Sequence, residues 1–146
     1  MIAADANTDD FGRLIAMARQ FYAASGYSEI ADFNEPTLLT LFGYLVTSED
    51  GFLMATDNGM LAGLSFPIFF DGDSILTQEL MWWVDPEGRA AGEGAILLDA
   101  FESWSRSRGA KATIMLNLET LDPDGLAKVY ARRGYAKAEQ NWMRVN

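Results

Sequence analysis

The stretch from Met81 to Leu98 restricts the fold more than any other part of the chain. Met81-Trp82-Trp83-Val84 is an apolar run suited to a buried strand. It breaks at Asp85-Pro86, because proline cannot donate to a sheet ladder. A short glycine-bearing turn follows, and apolar residues resume at helical spacing with Ile96 and Leu97. A strand that delivers such a turn to a helix start builds an anion cradle. The first backbone N–H groups have no helical partners, and the helix dipole adds partial positive charge there. Gly92 and Gly94 carry no Cβ, so the backbone can approach a diphosphate closely.

The remaining chain narrows the chemistry. At 146 residues it reads as one domain, 1–146, long enough for a real core, and nine Phe, four Trp and five Tyr argue against disorder. There is no cysteine, which excludes disulfides, Cys-based zinc sites and thiol catalysis. There is no histidine, so acid–base work falls to Glu, Asp, Tyr or water, and no metal site is expected. No apolar run reaches membrane-spanning length, and Met1-Ile2-Ala3-Ala4-Asp5 lacks the basic start of a signal peptide. A soluble cytoplasmic protein is the expectation. The net charge of −10 is uneven: residues 1–88 carry fourteen acids against Arg13 and Arg19, whereas residues 89–146 carry nine bases against seven acids. A general nucleic-acid binder needs a basic face, and the first half offers the reverse.

Hydrophobic spacing orders the elements as α-α-β-β-β-α-β-α-β, a mixed α/β layer structure. Asp9 to about Ala24 is an amphipathic helix capped by Thr8 or Asp9, and a second helix starts at Pro36. Gly51–Thr56 and Met60–Phe70 are strands joined at Asp57-Asn58-Gly59, with Pro67 marking a bulge or an edge. Asp71-Gly72-Asp73 is the next turn, before a strand from Ser74 to Val84. A helix over Ala91–Arg108, a strand over Lys111–Glu119, a helix from Pro123 ended by Gly134, and one or two short strands over Tyr135–Val145 complete the chain.

Two motifs carry the chemistry. Val84-x-Pro86-x-x-Arg89-x-x-Gly92-x-Gly94 lacks the Gly-Lys-Ser/Thr of a P-loop, and the third glycine and spaced acid of a dinucleotide fingerprint. It resembles the coenzyme A motif of the Gcn5-related N-acetyltransferases, the GNAT family. About forty residues on, Tyr130 precedes Gly134-Tyr135 at the spacing of the family's other recurrent signature. The resemblance covers roughly residues 50–146, and the two motifs in this order are far more specific than either alone.

The resemblance implies a mostly antiparallel sheet, split at the acetyl-CoA site and flanked by about four helices. It implies cofactor contacts from Trp82, Val84, Arg89, Ala90, Ala91, Gly92, Glu93, Gly94, Ala95, Asn117 and Tyr130. The diphosphate would sit on N–H groups of Ala91 through Ala95, and a backbone N–H near Trp82 would stabilise the oxyanion. Tyr130 is the implied general acid. An alkyl ammonium deprotonates only near pH ~10, so a base or a water chain must help. The family's usual acidic position falls on Gln78, which cannot take a proton, and its neighbour Glu79 becomes the candidate base. Strand side chains alternate faces, so Glu79 points away from the acceptor unless a bulge shifts the register. Glu119 is a further candidate, and Pro123 stands where many relatives place an asparagine.

The implied activity is transfer of an acetyl group to a primary amine of a small molecule or peptide. The alternative is a non-catalytic acyl-CoA-binding module of the same fold. The acidic first half makes Glu29, Asp32 and Glu35 candidate contacts for a cationic or neutral acceptor. Nucleic-acid and membrane partners are not expected, and a homodimer is compatible with the sequence.

Overall fold

In the computed structural model, which describes residues 4–146, five strands form one sheet. They are β1 (Ala4–Asp5), β2 (Gly51–Ala55), β3 (Gly59–Ile68), β4 (Asp71–Val84) and β5 (Ala112–Ile114), in that spatial order. The first four pair antiparallel, and β5 runs parallel to β4. The fold is mixed α/β, as expected.

Alternation along β3 sorts the core into two layers. Met60 and Ala62 face α1 (Phe11–Ser25) and α2 (Glu35–Thr47), where Leu14, Met17, Phe42 and Leu45 are buried. Leu61 faces α4 (Glu93–Ser107) and packs with Phe52, Leu97 and Phe101. Gly63 must stay bare, because a Cβ there would run into the Phe101 ring. Truncating a fully buried phenylalanine such as Phe101 typically costs about 3–5 kcal/mol. A short α3 (Pro86–Ala90) precedes α4, and α5 (Pro123–Arg132) lies on the α4 side. There Arg133 Nη1 bonds Asp99 at 2.7 Å and Glu102 at 3.2 Å.

Several boundaries differ from the sequence expectation. The side-chain cap falls on Asn7 and not on Thr8 or Asp9, and it caps the turn ahead of α1, whose own start at Asp10 has none. Asn7 and Asp10 form a reciprocal capping box around a 3-10 turn at Thr8–Asp10. The expected helix over Ala91–Arg108 is two helices broken at Ala91-Gly92, where Gly92 adopts φ 78°. The strand expected over Lys111–Glu119 pairs only at Ala112–Ile114, and beyond it Leu116 N–H bonds the Glu79 side chain instead of a strand backbone. No strand forms over Tyr135–Val145. The β3–β4 turn falls on Phe69-Phe70, since Ile68 already pairs with Asp71. The Asp57–Gly59 hairpin stands, closed by Thr56 N–H to Gly59 O at 2.9 Å, and Pro67 does sit at a bulge.

Candidate functional site

The site begins where β4 and β5 part. Leu76, Thr77 and Gln78 pair with Ala112, Thr113 and Ile114, and no further ladder forms. A chain of hydroxyls pins this junction. Ser105 Oγ of α4 lies 2.6 Å from both Thr77 Oγ1 and Thr113 Oγ1, two residues that face each other across the ladder. Nothing in the sequence spacing marks these three residues as a group.

One residue beyond the junction stands Glu79. Met81 pairs with Ala62 and Glu79 with Gly63, so Leu80 is an extra residue and β4 bulges there. Leu80 and Met81 consequently both pack toward α1 and α2. Glu79 and Trp82, three apart and on opposite faces of a regular strand, instead line one cavity of ≈ 30 Å³ with Phe21, Leu116 and Leu126. The bulge on which the reading of Glu79 depended is therefore present. Glu79 is buried, and its Oε1 accepts a hydrogen bond from Leu116 N–H at 2.7 Å, a side chain standing where a strand partner would be. Burial pushes its pKa from 4.5 up to about 7, against the lowering effect of that bond.

Tyr130 holds the other side of the same residue, its hydroxyl donating to Leu116 O at 2.7 Å. Burial and the charge of Glu79 raise its pKa, so the phenol keeps its proton. Its ring lies 6.4 Å from that of Trp82, whose Nε1 is buried without a hydrogen-bond partner among the described residues. Indole N–H groups are donors only, and a buried orphan of this kind marks a place for an acceptor.

Beside Trp82 lies the start of α4. Helices α2 and α5 are capped by the side chains of Asn34 and Asp122, but α4 has no side-chain cap. Within the turn, Ala91 N–H bonds Gly88 O at 3.2 Å and Gly92 N–H bonds Arg89 O at 3.3 Å. The free donors are thus those of Glu93, Gly94 and Ala95, a narrower set than Ala91 through Ala95. Ala90, Ala91, Gly92 and Ala95 are exposed, while Val84 is core. A Cβ on Gly94 would meet nothing nearer than Trp82 Cζ2 at 3.4 Å and Val84 Cγ2 at 3.8 Å, ordinary contacts, so internal packing does not demand that glycine. Gly88 differs: a Cβ there would lie 2.7 Å from Glu93 Oε2 and from Val84 Cγ1.

The Glu93 side chain turns inward and is fully buried. It accepts from Asn58 N–H and from Asn58 Nδ2, both at 2.9 Å, which ties the helix start to the β2–β3 hairpin. Burial raises its pKa, but the nearby Thr56 hydroxyl and the Asn58 bonds outweigh the effect and hold it below the usual value. Arg89 is exposed. Its Nε donates to Val84 O at 2.7 Å, and its guanidinium lies 5.1 Å from the Trp83 ring. Asn117 Nδ2 donates to Pro123 O at 2.9 Å, so this side chain secures the start of α5.

The acceptor-side candidates are all exposed. Glu29 lies in a 3-10 turn and Asp32 in the loop after it, both exposed. Glu35 is paired with Arg19 at 2.9 Å, which compensates its charge. The loop lies near the turn after β5, where a Cβ on Gly26 would lie 3.7 Å from Thr120 Cγ2, and Tyr22 donates to Ala31 O at 2.6 Å. No group of carboxylates suited to a metal ion occurs among the described residues. Nor is any helix among them long and apolar enough to cross a membrane.

These features define an α/β protein whose sheet parts beside a free helix start. The family model for the acetyltransferase (GNAT) family matches residues 13–135, and the chain belongs to that family. No curated protein sequence matches the chain. A transcriptional regulator from Bacillus halodurans C-125 superposes with a TM-score of 0.74 at 16% identity, over 99% of this chain and 97% of that one. The aminoglycoside antibiotic 6'-N-acetyltransferase AAC(6')-IG from Acinetobacter haemolyticus gives 0.70 at 13% identity, over 100% and 98%. AAC(6')-Iy, solved in complex with the bisubstrate analog CoA-S-monomethyl-acetylneamine, gives 0.71 at 12% identity, over 99% and 96%. At such identities the likeness shows the fold alone.

Proposed function

We propose that this chain is an acetyl-CoA-dependent N-acetyltransferase acting on a primary amine of a small molecule or peptide. The observation that carries the reading is the parting of β4 from β5 next to three unpartnered N–H groups on an uncapped helix. The residues fit the cofactor. Glu93, Gly94 and Ala95 offer N–H donors to a diphosphate, Gly94 leaves room for close approach, and Arg89 adds charge at the rim. Bound there, acetyl-CoA supplies an activated acyl group. Trp82 contributes an unpaired indole donor, and Glu79, whose pKa burial pushes up to about 7, is suited to take a proton from an ammonium through water. Tyr130 keeps a proton in reserve at a fixed place.

The acceptor follows from charge. The loop bearing Glu29 and Asp32 belongs to the acidic half, so a cationic amine is drawn in and kcat/KM falls as salt rises. Release of CoA should be measured over polyamines, aminoglycosides, amino acids and peptide N-termini, with acetyl-CoA binding followed by calorimetry. Turnover of a cationic amine, weakened by salt, is the expected result. Failure to bind acetyl-CoA refutes the reading. One observation favours the non-catalytic alternative: both Glu79 and Tyr130 are engaged by the backbone of Leu116. Tight acetyl-CoA binding with no turnover of any amine would select it.

A further inference from the structure

The β3–β4 hairpin ends in a feature that local turn chemistry does not favour. Two-residue hairpin turns draw on Gly, Asn and Asp, yet Phe69 and Phe70 occupy this one. Asp71 stabilises the next residues in their place, accepting from Asp73 N–H at 3.1 Å and from Ser74 Oγ at 2.7 Å. Phe69 and Phe70 are 88% and 80% exposed, with ring centroids 4.0 Å apart. Departures from local rules concentrate at functional positions. Elsewhere in the chain a second apolar group is unburied: Trp142 is 90% exposed, Met143 67% and Val145 54%. The two groups have opposite charge. Asp71 and Asp73 follow the phenylalanines, a local charge of −2, whereas Arg144 lies within the tail and Lys137 and Glu139 precede it, a balance of +1 over residues 137–145. Neither Arg144 nor Lys137 makes an ion pair among the described residues.

We propose that the Phe69-Phe70 finger of one copy docks on the Trp142–Val145 tail of a second copy, reciprocally, forming a two-fold dimer. Charge complementarity selects this occupant, since an acidic apolar tip meets a basic apolar segment. It also disfavours an anionic lipid surface, which the two aspartates and a net charge of −10 repel. Area favours reciprocity. An aromatic side chain buries about 150–250 Å², so finger and tail together remove roughly 700 Å² per copy. A one-sided contact is too small for a stable complex. Two such contacts related by a two-fold axis reach about 1,400 Å², within the range of standard interfaces, and they close without leaving a sticky end.

The test is sedimentation velocity on the 146-residue chain from about 1 to 100 μM, with circular dichroism to confirm that each variant is folded. The altered side chains are exposed, so the fold does not depend on them. The parent is expected to dimerise. Phe69→Ser with Phe70→Ser, or Trp142→Ser alone, should weaken the dimer at least tenfold. Arg144→Asp should weaken it similarly, and adding Asp73→Arg to that variant should restore it. A monomeric parent throughout, a dimer indifferent to the phenylalanine substitutions, or a double charge reversal no better than the single one overturns the proposal. So does a monomer that sediments with anionic phosphatidylglycerol vesicles through its phenylalanines. None of these outcomes bears on whether the chain acetylates amines.

Discussion

Replacing Glu79 with glutamine tests the electrostatics of the parted strands directly. The amide oxygen can still accept from Leu116 N–H, while the titratable proton is removed. Burial raises the Glu79 pKa from 4.5 to about 7, and at 1.36 kcal/mol per pKa unit that amounts to about 3 kcal/mol. Below about pH 4.5 the folded and unfolded chains both hold the proton, and the charge contributes no difference. Between about pH 4.5 and 7 the folded chain retains a proton that the unfolded chain releases, so this residue's contribution falls as pH rises. Above about pH 7 the full cost is present. The stability of Glu79→Gln relative to the parent should therefore climb by under about 1 kcal/mol up to pH 5 and by about 3 kcal/mol by pH 8. Any cost of seating the amide is a constant offset. In urea, with a slope of about 1–3 kcal/mol/M, the relative midpoint should move by roughly 1–3 M between those limits. Unfolding curves at half-unit steps of pH would measure it. A difference that stays flat from pH 5 to 8 would show that Glu79 does not titrate there, and the argument for it as a base near neutrality would fall with it.

Other substitutions probe the remaining contacts. Gly94→Ala has room in the packed structure, so it should leave the melting curve unchanged and weaken acetyl-CoA binding at least tenfold by calorimetry; unaltered binding would mean that nothing approaches the helix start closely. Gly88→Ala should instead destabilise by about 1–3 kcal/mol through its clash with Glu93 and Val84, visible in urea unfolding. Tyr130→Phe leaves Leu116 O without its donor, at about 1 kcal/mol, and should slow acetyl transfer by about 10²–10⁴-fold if the phenol is the acid. Parent-like turnover would assign it to packing alone. Ser105→Ala removes the bridge between buried Thr77 and half-buried Thr113 and should cost about 1–3 kcal/mol in the same assay.

Local chemistry made part of this protein legible from its residues. Asp57-Asn58-Gly59 closes a hairpin wherever strands flank it, Pro86 stops a strand, and Gly92 adopts a left-handed conformation that side chains resist. The apolar periods of α1 and α4 likewise assign each helix a buried face. These are properties of a few neighbouring residues, and they suffice for the helices and strands from α1 to β4 and for the glycine-bearing turn, but not for β1, the break between α3 and α4, or the chain after α5. What they leave open is pairing. Alternation sets which face of a strand is apolar, not how far its ladder runs, so the expected strand over Lys111–Glu119 stopped at Ile114. The same limit applies to the Leu80 bulge, which turns Glu79 onto the face of Trp82 and is decided by the opposite strand. Glu79 meets Leu116 across 37 positions and Asn58 meets Glu93 across 35. Those contacts depend on how the sheet and helices stack, and a buried carboxylate takes its pKa from that stacking. The sequence by itself therefore determined the elements from α1 to β4 and the glycines of the helix start. Only the tertiary structure decided which polar groups face the opening, because burial and hydrogen-bond partners are set by residues distant in the chain.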